Sequence, residues 1–267
     1  MARAIDRPDV ADAYNKALDL EEAGDFAGAA LAYAAYLRLD PADHGGAAVR
    51  LAAMGQAEAP LIAPGPYVEV LFDQHAEAFE DILVRQLGYD VPNLAADRLS
   101  RLGKSQFSRV LDLGCGTGLF AEALGERARE IIGLDISSRM IDVAEAKDIY
   151  DGLYCGEVNA FLSDNDEDPF DLIAACDVLP YIGDLTPLFN GAAANLTDAG
   201  LLVFSSELSA EDGYQVAPHQ RFIHSETYLQ DRVSNAGLQL LEITGINVRM
   251  QSGKPTPGQL VIAQRTA

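Results

Sequence analysis

The sequence predicts an α/β fold: a doubly wound sheet of seven strands, mostly parallel, with an antiparallel C-terminal hairpin and a small helical extension at the N-terminus. Three observations carry this. Five short apolar runs, at residues 109–113, 130–134, 152–156, 170–175 and 200–205, are separated by helix-length segments, as parallel strands joined by crossover helices require. Two further runs, 238–244 and 258–263, are separated by only about a dozen residues, which is too few for a helical crossover and leaves an antiparallel hairpin. Before all of these, residues 10–57 are alanine-rich, with apolar positions at helical spacing and breaks at Gly24-Asp25 and Asp40-Pro41.

That N-terminal pattern is a helical hairpin followed by a third helix. Ala17, Leu20, Gly24, Ala29, Tyr33 and Pro41 fall at the spacing of one tetratricopeptide-like repeat, although Tyr36 stands where a small residue is usual. A single repeat cannot bury its own apolar face, so it should pack on the rest of the chain, on a protein partner or across a homodimer. Residues 58–66 hold three prolines and a glycine in nine positions, which mark a linker between an extension at 1–57 and a domain at 67–267. Within the domain, residues 67–101 are again helical, broken by Gly88 and Pro92, and are expected to cap the sheet.

Composition narrows the function. The chain has 267 residues, 49% of them hydrophobic, and 41 acidic against 19 basic residues give a net charge of -22. Such a surface repels a phosphate backbone and anionic lipid, so nucleic-acid and membrane partners are not expected. Cys115, Cys155 and Cys176 have neither paired nor CxxC spacing, which suggests no disulfide framework and no metal site. The run from Asp164 to Asp168 begins like a calcium loop, but Pro169 and Ala175 replace the required glycine and glutamate. The first residues, Met-Ala-Arg-Ala-Ile-Asp-Arg-Pro, lack an apolar leader segment, and a cytoplasmic protein is expected.

The chemistry concentrates at Val-Leu-Asp-Leu-Gly-Cys-Gly-Thr-Gly-Leu-Phe, residues 110–120, a buried strand running through a glycine-rich turn into a helix. Gly114 and Gly116 let the backbone approach a ligand, and Gly118 lets the helix start close to the strand. The pattern is G-x-G-x-G, with Leu119 where a dinucleotide fingerprint places its last small residue. Asp112, two residues before the first glycine, disfavours an anion and suits a cationic aminoacyl or sulfonium ligand. Asp135, at the end of the second strand, can accept hydrogen bonds from both hydroxyls of a ribose; the competing role of helix cap can fall to Ser137. Ile136 and Met140 offer apolar surface to a purine.

These residues, with Phe-Asp-Leu-Ile-Ala-Ala-Cys-Asp-Val-Leu at 170–179, resemble the Rossmann-like class I S-adenosylmethionine-dependent methyltransferases. The flanks at 72–80, 87–92 and 221–225, together with the repeat-like N-terminus, are similar to predicted methyltransferases that carry tetratricopeptide repeats. The resemblance implies S-adenosylmethionine as cofactor and S-adenosylhomocysteine as product. Gly114, Cys115 and Gly116 would line its methionine part, Asp112 would hold its amino group and Asp135 its ribose. Glu157, Val158 and Asn159 would surround adenine, with Glu157 standing where the family has Asp. Cys176 and Asp177 would meet the methionine end and the mouth of the substrate pocket.

Transfer from a sulfonium needs alignment more than a dedicated catalytic cluster. Asp177, Tyr181, His75 and His224 are the candidates for a base acting on an oxygen or nitrogen nucleophile of a small molecule. Ser225 would cap a helix at 226–235. The rival readings are a non-catalytic cofactor-binding module that recruits a protein through its repeat, and a nicotinamide-dependent oxidoreductase, against which Leu119 and Asp112 argue.

Overall fold

A computed structural model of the chain describes residues 7–266; residues 1–6, on which the reading of the N-terminus for a leader rests, lie outside them. Seven strands form one sheet in the order β3-β2-β1-β4-β5-β9-β8. They are β1 (Phe107–Leu113), β2 (Ala128–Asp135), β3 (Gly152–Cys155), β4 (Phe170–Ala175), β5 (Leu196–Glu207), β8 (Leu238–Gln251) and β9 (Lys254–Arg265). The first five are parallel, and β9 runs antiparallel to both β5 and β8. The expected fold is therefore the observed one. The hairpin differs in detail: β8 and β9 extend toward each other until only Ser252 and Gly253 join them. Both residues have positive φ, +49° and +75°, as a tight two-residue turn demands.

Two further strands, β6 (Tyr214–Val216) and β7 (Phe222–His224), make a small separate hairpin that the periodicity does not reveal. Three residues per strand are too few to show an alternation.

Among the described residues, ten α-helices accompany the strands. The extension contributes α1 (Pro8–Glu22), α2 (Phe26–Leu39) and α3 (Ala47–Ala53), and the cap contributes α4 (Gly65–Asp73) and α5 (Val91–Arg101). The crossovers contribute α6 (Leu119–Leu124), α7 (Ser138–Glu145), α8 (Val158–Ser163), α9 (Thr186–Asn195) and α10 (Glu226–Asn235). Local chemistry sets several starts: the side chains of Asp25, Ser137 and Ser225 each accept from a backbone N–H of the first turn of α2, α7 and α10. Between α4 and α5 the cap is irregular, with a wide π-type turn at Asp81–Gln86.

The core lies on both faces of the sheet, which is why its strands read as continuous apolar runs. On one face, α5 (Val91, Ala95, Leu99) and α6 (Phe120, Leu124) pack against Val110, Ile131, Leu172 and Val203. On the other, α9 (Leu188, Phe189, Ala192) and α10 (Leu229, Val233) pack against Leu111, Ile132, Ile173 and Phe204. In the extension, Tyr14 meets Tyr33 and Tyr36 edge-on at centroid distances of 6.0 and 5.2 Å. Its apolar face continues into the body of the chain: Val49 of α3 joins Ala63, Val68 of α4, Val216 of β6 and Phe222 of β7 in one buried cluster.

The proline-rich stretch does not hang free, and its last two residues, Gly65 and Pro66, already open α4. Ala63 N–H donates to the Tyr181 carbonyl, and the N–H groups of Gly183 and Asp184 donate to the Leu61 carbonyl, each at 2.9 Å. Residues 61–63 thus lie along the segment that leaves β4.

Candidate functional site

The C-terminal ends of β1, β2 and β4 open into a cavity of about 390 Å³, within the usual range for a small-molecule pocket. It lies where the strand order reverses between β1 and β4, the position at which doubly wound sheets bind ligands. The glycine turn forms its floor, and Phe72, Phe79 and Leu83 of the cap form its roof.

Gly114, Gly116 and Gly118 have φ of +62°, +53° and +93°. A Cβ on Gly114 would sit 2.5 Å from the Val178 side chain, so this position admits only glycine. At Gly116 the nearest atom to such a Cβ would be 3.8 Å away on Phe79, and the turn lies open to the cavity there.

Asp135 ties the floor together. Its Oδ2 accepts from Gly116 N–H at 2.9 Å and its Oδ1 from Ser137 N–H at 2.8 Å, which leaves each oxygen a further lone pair. Burial raises its carboxyl from the ordinary range against these hydrogen bonds. Asp112 is also buried, and its Oδ2 accepts from the Tyr150 hydroxyl at 2.7 Å. Burial first, and then the charge of Asp135, push Asp112 up to about 7, with the Tyr150 hydrogen bond opposing. Asp112, Asp135, Glu157 and Asp177 line the cavity, and no lysine, arginine or histidine does so among the described residues; of the four, Asp177 is paired with a cation, Arg221, behind the wall.

The adenine candidates divide their tasks. Glu157 caps α8, its Oε2 accepting from Ala160 N–H at 2.9 Å, while its Oε1 accepts from Asn159 Nδ2 at 3.2 Å. Asn159 Oδ1 is buried with no hydrogen-bond partner. An unpaired acceptor in a cavity wall is costly unless a ligand supplies the donor. Val158, Ile136, Cys115 and Cys176 complete this part of the lining.

Three candidates lie elsewhere. Met140 is fully buried in the first turn of α7 and lines no part of the cavity; a residue five places past Asp135 has already turned into the core. His75 is exposed, its Nδ1 held 2.7 Å from the Leu71 carbonyl, and it too is absent from the lining. His224 is completely buried behind it. There Nε2–H donates to the Ile182 carbonyl and Nδ1 accepts from Ser206, both at 2.9 Å, while burial lowers its pKa to about 4. It is a neutral structural side chain.

Asp177 and Tyr181 do line the cavity, but neither is a free base. Asp177, at φ +64°, accepts from Arg221 Nη2 at 2.6 Å. The Tyr181 hydroxyl accepts from Arg221 Nη1 at 3.0 Å, with the guanidinium over its ring, and burial pushes its pKa up to about 12. Behind them, Glu207 takes Arg249 Nη2 and His219 Nε2, each at 2.7 Å, and lies 2.9 Å from Arg221 Nε. Arg249 reaches this buried position through a register shift between Asn247 and Met250, which turns Val248 and Arg249 inward together. Arg221 comes from the residue just before β7. Arg221 falls in the segment 221–225 that carries part of the resemblance and Arg249 in no motif, and only the tertiary packing of β5, β7 and β8 brings them together. Tyr89, in Leu-Gly-Tyr-Asp-Val-Pro, also lines the cavity; its place just before Pro92 and α5 is the only local signal for it.

Comparison with known proteins agrees with this geometry. A family model described as a methyltransferase domain matches residues 87–243. Ubiquinone biosynthesis O-methyltransferase of Coxiella burnetii (strain Dugway 5J108-111) is 30% identical over 158 residues, covering 52% of this chain and 66% of the relative. The chain thus spans just under two thirds of that relative. Among solved structures, an S-adenosylmethionine-dependent methyltransferase from Clostridium acetobutylicum ATCC 824 superposes with a TM-score of 0.55 at 18% identity, over 72% of this chain and 98% of its own. The [4+2]-cyclase SpnF gives 0.55 at 15% identity, over 66% and 81%, so the shared fold alone does not decide the reaction. The chain belongs to the methyltransferase-domain family. Its fold is the one seen in the S-adenosylmethionine-dependent methyltransferase of Clostridium acetobutylicum.

Proposed function

We propose that this chain transfers a methyl group from S-adenosylmethionine to an oxygen or nitrogen nucleophile of a small molecule bound under the cap. The observation that carries the reading is the cavity lining, in which Asp112, Asp135 and Glu157 stand without a basic partner among the described residues. A dinucleotide pyrophosphate is repelled there, whereas a ligand with an ammonium and a sulfonium supplies the missing positive charge.

The residues suit that cofactor one by one. Asp112 faces its amino group and the Gly114–Gly116 backbone its aminoacyl chain. Asp135 retains lone pairs for the ribose hydroxyls, Ile136 and Val158 flank the purine, and Asn159 Oδ1 accepts from the purine amino group. Cys176 stands at the methionine end. When bound, S-adenosylmethionine supplies a methyl group already activated on sulfur. The chain's own part is to align the acceptor and to exclude water, and Phe72, Phe79 and Leu83 do the latter. Residues 67–267 form the catalytic unit in this reading, and the helices of residues 1–57 buttress the cap and the β6–β7 hairpin through Val49. The printed name of the curated relatives favours an oxygen acceptor.

Thermal shift with S-adenosylhomocysteine and with NAD tests the cofactor, because only the true ligand stabilises. Production of S-adenosylhomocysteine across a panel of phenols, carboxylic acids and amines, with Asp135→Ala as the inactive control, tests turnover. Stabilisation by NAD alone would overturn the reading.

A further inference from the structure

Two of the three roof residues belong to a segment that the fold holds loosely. Phe79 and Leu83 lie within residues 74–86, between the end of α4 and Gly88, and Ala76 is the one residue of that segment that is buried. Both flanks are anchored. On one side, Asp73 accepts from the Ser137 hydroxyl at the start of α7 at 2.7 Å. On the other, the Leu87 carbonyl accepts from Met250 N–H of β8, also at 2.7 Å, and Gly88 turns the chain at φ +66°. Phe72 stays with the fixed side, because it belongs to α4 and packs edge-on against Tyr181 at a centroid distance of 5.3 Å.

Between these anchors, a single side chain makes every hydrogen bond that joins residues 74–86 to the body of the molecule among the described residues. It is Glu80, whose Oε1 accepts from Thr117 Oγ1 and from Lys147 Nζ, each at 2.7 Å. The remaining bonds of the segment stay within residues 70–89. Both partners of Glu80 belong to the surroundings of the cavity floor. Thr117 stands between Gly116 and Gly118 in the glycine turn. Lys147 lies in the turn that leads to Tyr150, the donor to Asp112, and is steadied by Glu122 of α6 at 2.9 Å. The segment is thus fastened to the cavity rim by one carboxylate that is 41% exposed.

We propose that residues 74–86 are a lid that lifts for the cofactor to enter and leave, and that Glu80 is its latch. This rests on reading the cavity as the S-adenosylmethionine site. Opening is local and inexpensive, because it breaks one polar tie and few buried contacts while both flanks keep their places. It carries Phe79 away from Gly116, where a Cβ would lie 3.8 Å from the ring, and it leaves Phe72 behind. Glu80 itself lines no part of the cavity. A latch that the ligand does not touch acts alike on the free and the bound protein, so it sets the rates of exchange and leaves the affinity unchanged.

Surface plasmon resonance with S-adenosylhomocysteine over the immobilised full chain tests this. Glu80→Ala and Lys147→Met should each raise the association and dissociation rates together about fivefold, the scale of an exposed ion pair reinforced by one hydrogen bond, with Kd within about twofold. Raising NaCl from about 0.05 to about 0.5 M should quicken both rates in the wild type and leave those of Glu80→Ala nearly unchanged, because the ion pair it screens is already gone. Hydrogen exchange on the ligand-free variants should quicken in residues 74–86 and not in α5 or β1, which separates an opened lid from a loosened fold. Unchanged rates in both variants, a rise in dissociation alone with a matching loss of affinity, or quickened exchange throughout α5 and β1 would overturn the proposal. If wild-type protein does not bind S-adenosylhomocysteine at all, the cofactor reading fails instead, and hydrogen exchange still reads the latch, so the two failures are distinguishable.

Discussion

Asp112 makes cofactor binding dependent on pH in a way that can be worked out. Its carboxyl is raised from 3.8 to about 7, mainly by burial and secondarily by Asp135. That interval corresponds to roughly 4 kcal/mol of destabilisation of the ionised form in the ligand-free fold. The sign follows from proton counting: between pH 3.8 and about 7 the folded chain holds a proton on Asp112 that the unfolded chain has released. The contribution of this group to stability therefore falls as pH rises through that window and stays low above it. An ammonium-bearing ligand reverses the preference, because it binds the carboxylate. Affinity for S-adenosylhomocysteine should be level above pH 7 and should drop about tenfold, or 1.4 kcal/mol, for each pH unit below it. Calorimetric titration from pH 5.5 to 8.5 measures this directly. 5′-Methylthioadenosine, which lacks the amino acid group, should show no such slope beyond that due to Asp135. Asp112→Asn should remove the slope, weaken S-adenosylhomocysteine binding and raise the melting temperature of the ligand-free protein at pH 8, because the buried charge is gone while Tyr150 keeps an acceptor. A flat profile in the wild type, or affinity that improves as the pH falls, would refute the assignment of Asp112 to the cationic end of the ligand.

Three further outcomes follow from the same geometry. Gly114→Ala puts a Cβ against Val178 in a left-handed backbone at φ +62°, and should lose about 1–3 kcal/mol of stability and most S-adenosylhomocysteine binding, measured by denaturation and calorimetry. Glu207→Ala strips two buried guanidinium groups of their shared partner and should cost about 3–5 kcal/mol in a urea titration. Burial opposes the ionisation of Glu207, but His219, Arg221 and Arg249 hold it down to about 2. Its contribution in the wild type is present above 4.5 and should fade as the pH falls from 4.5 toward 2, so the mutational cost shrinks there. Glu80 accepts from Thr117 Oγ1 and Lys147 Nζ, each at 2.7 Å, and so fastens the cap to the glycine turn and to the turn after α7. Glu80→Ala should change global stability by under about 1 kcal/mol, since the side chain is 41% exposed, yet should speed hydrogen exchange across residues 74–90.

Much of the molecule could be read along the chain because its signals are local. Parallel strands covered on both faces are apolar throughout, so β1 to β5 stand out as runs, and the glycine turn declares itself through backbone conformations that only glycine adopts easily. The caps at Ser137 and Ser225 follow from side chains three residues from the amides they satisfy, and Asp112 and Asp135 from their places at strand ends. The opposite holds wherever a role depends on what packs nearby. His75, His224 and Met140 have the right chemistry and lie outside the cavity, because the orientation of a turn or a helix face is set by the core. The spare acceptor of Asn159 exists because its Nδ2 is tied to Glu157 while no neighbouring donor in the fold reaches its Oδ1. Arg221, Arg249 and Glu207 come from the residue before β7, from β8 and from β5, and a register shift in β8 aims Arg249. Tyr89 reaches the cavity because α5 packs against β1 and the β8 backbone holds Leu87, with Met250 N–H donating to its carbonyl at 2.7 Å. The amino-acid sequence by itself determined the sheet, the glycine turn and the acidic residues suited to a cationic cofactor, through short-range sterics and hydrogen bonding. Only the tertiary structure decided which side chains share the cavity and in what protonation state, because burial and charge pairing arise from residues far apart in the chain.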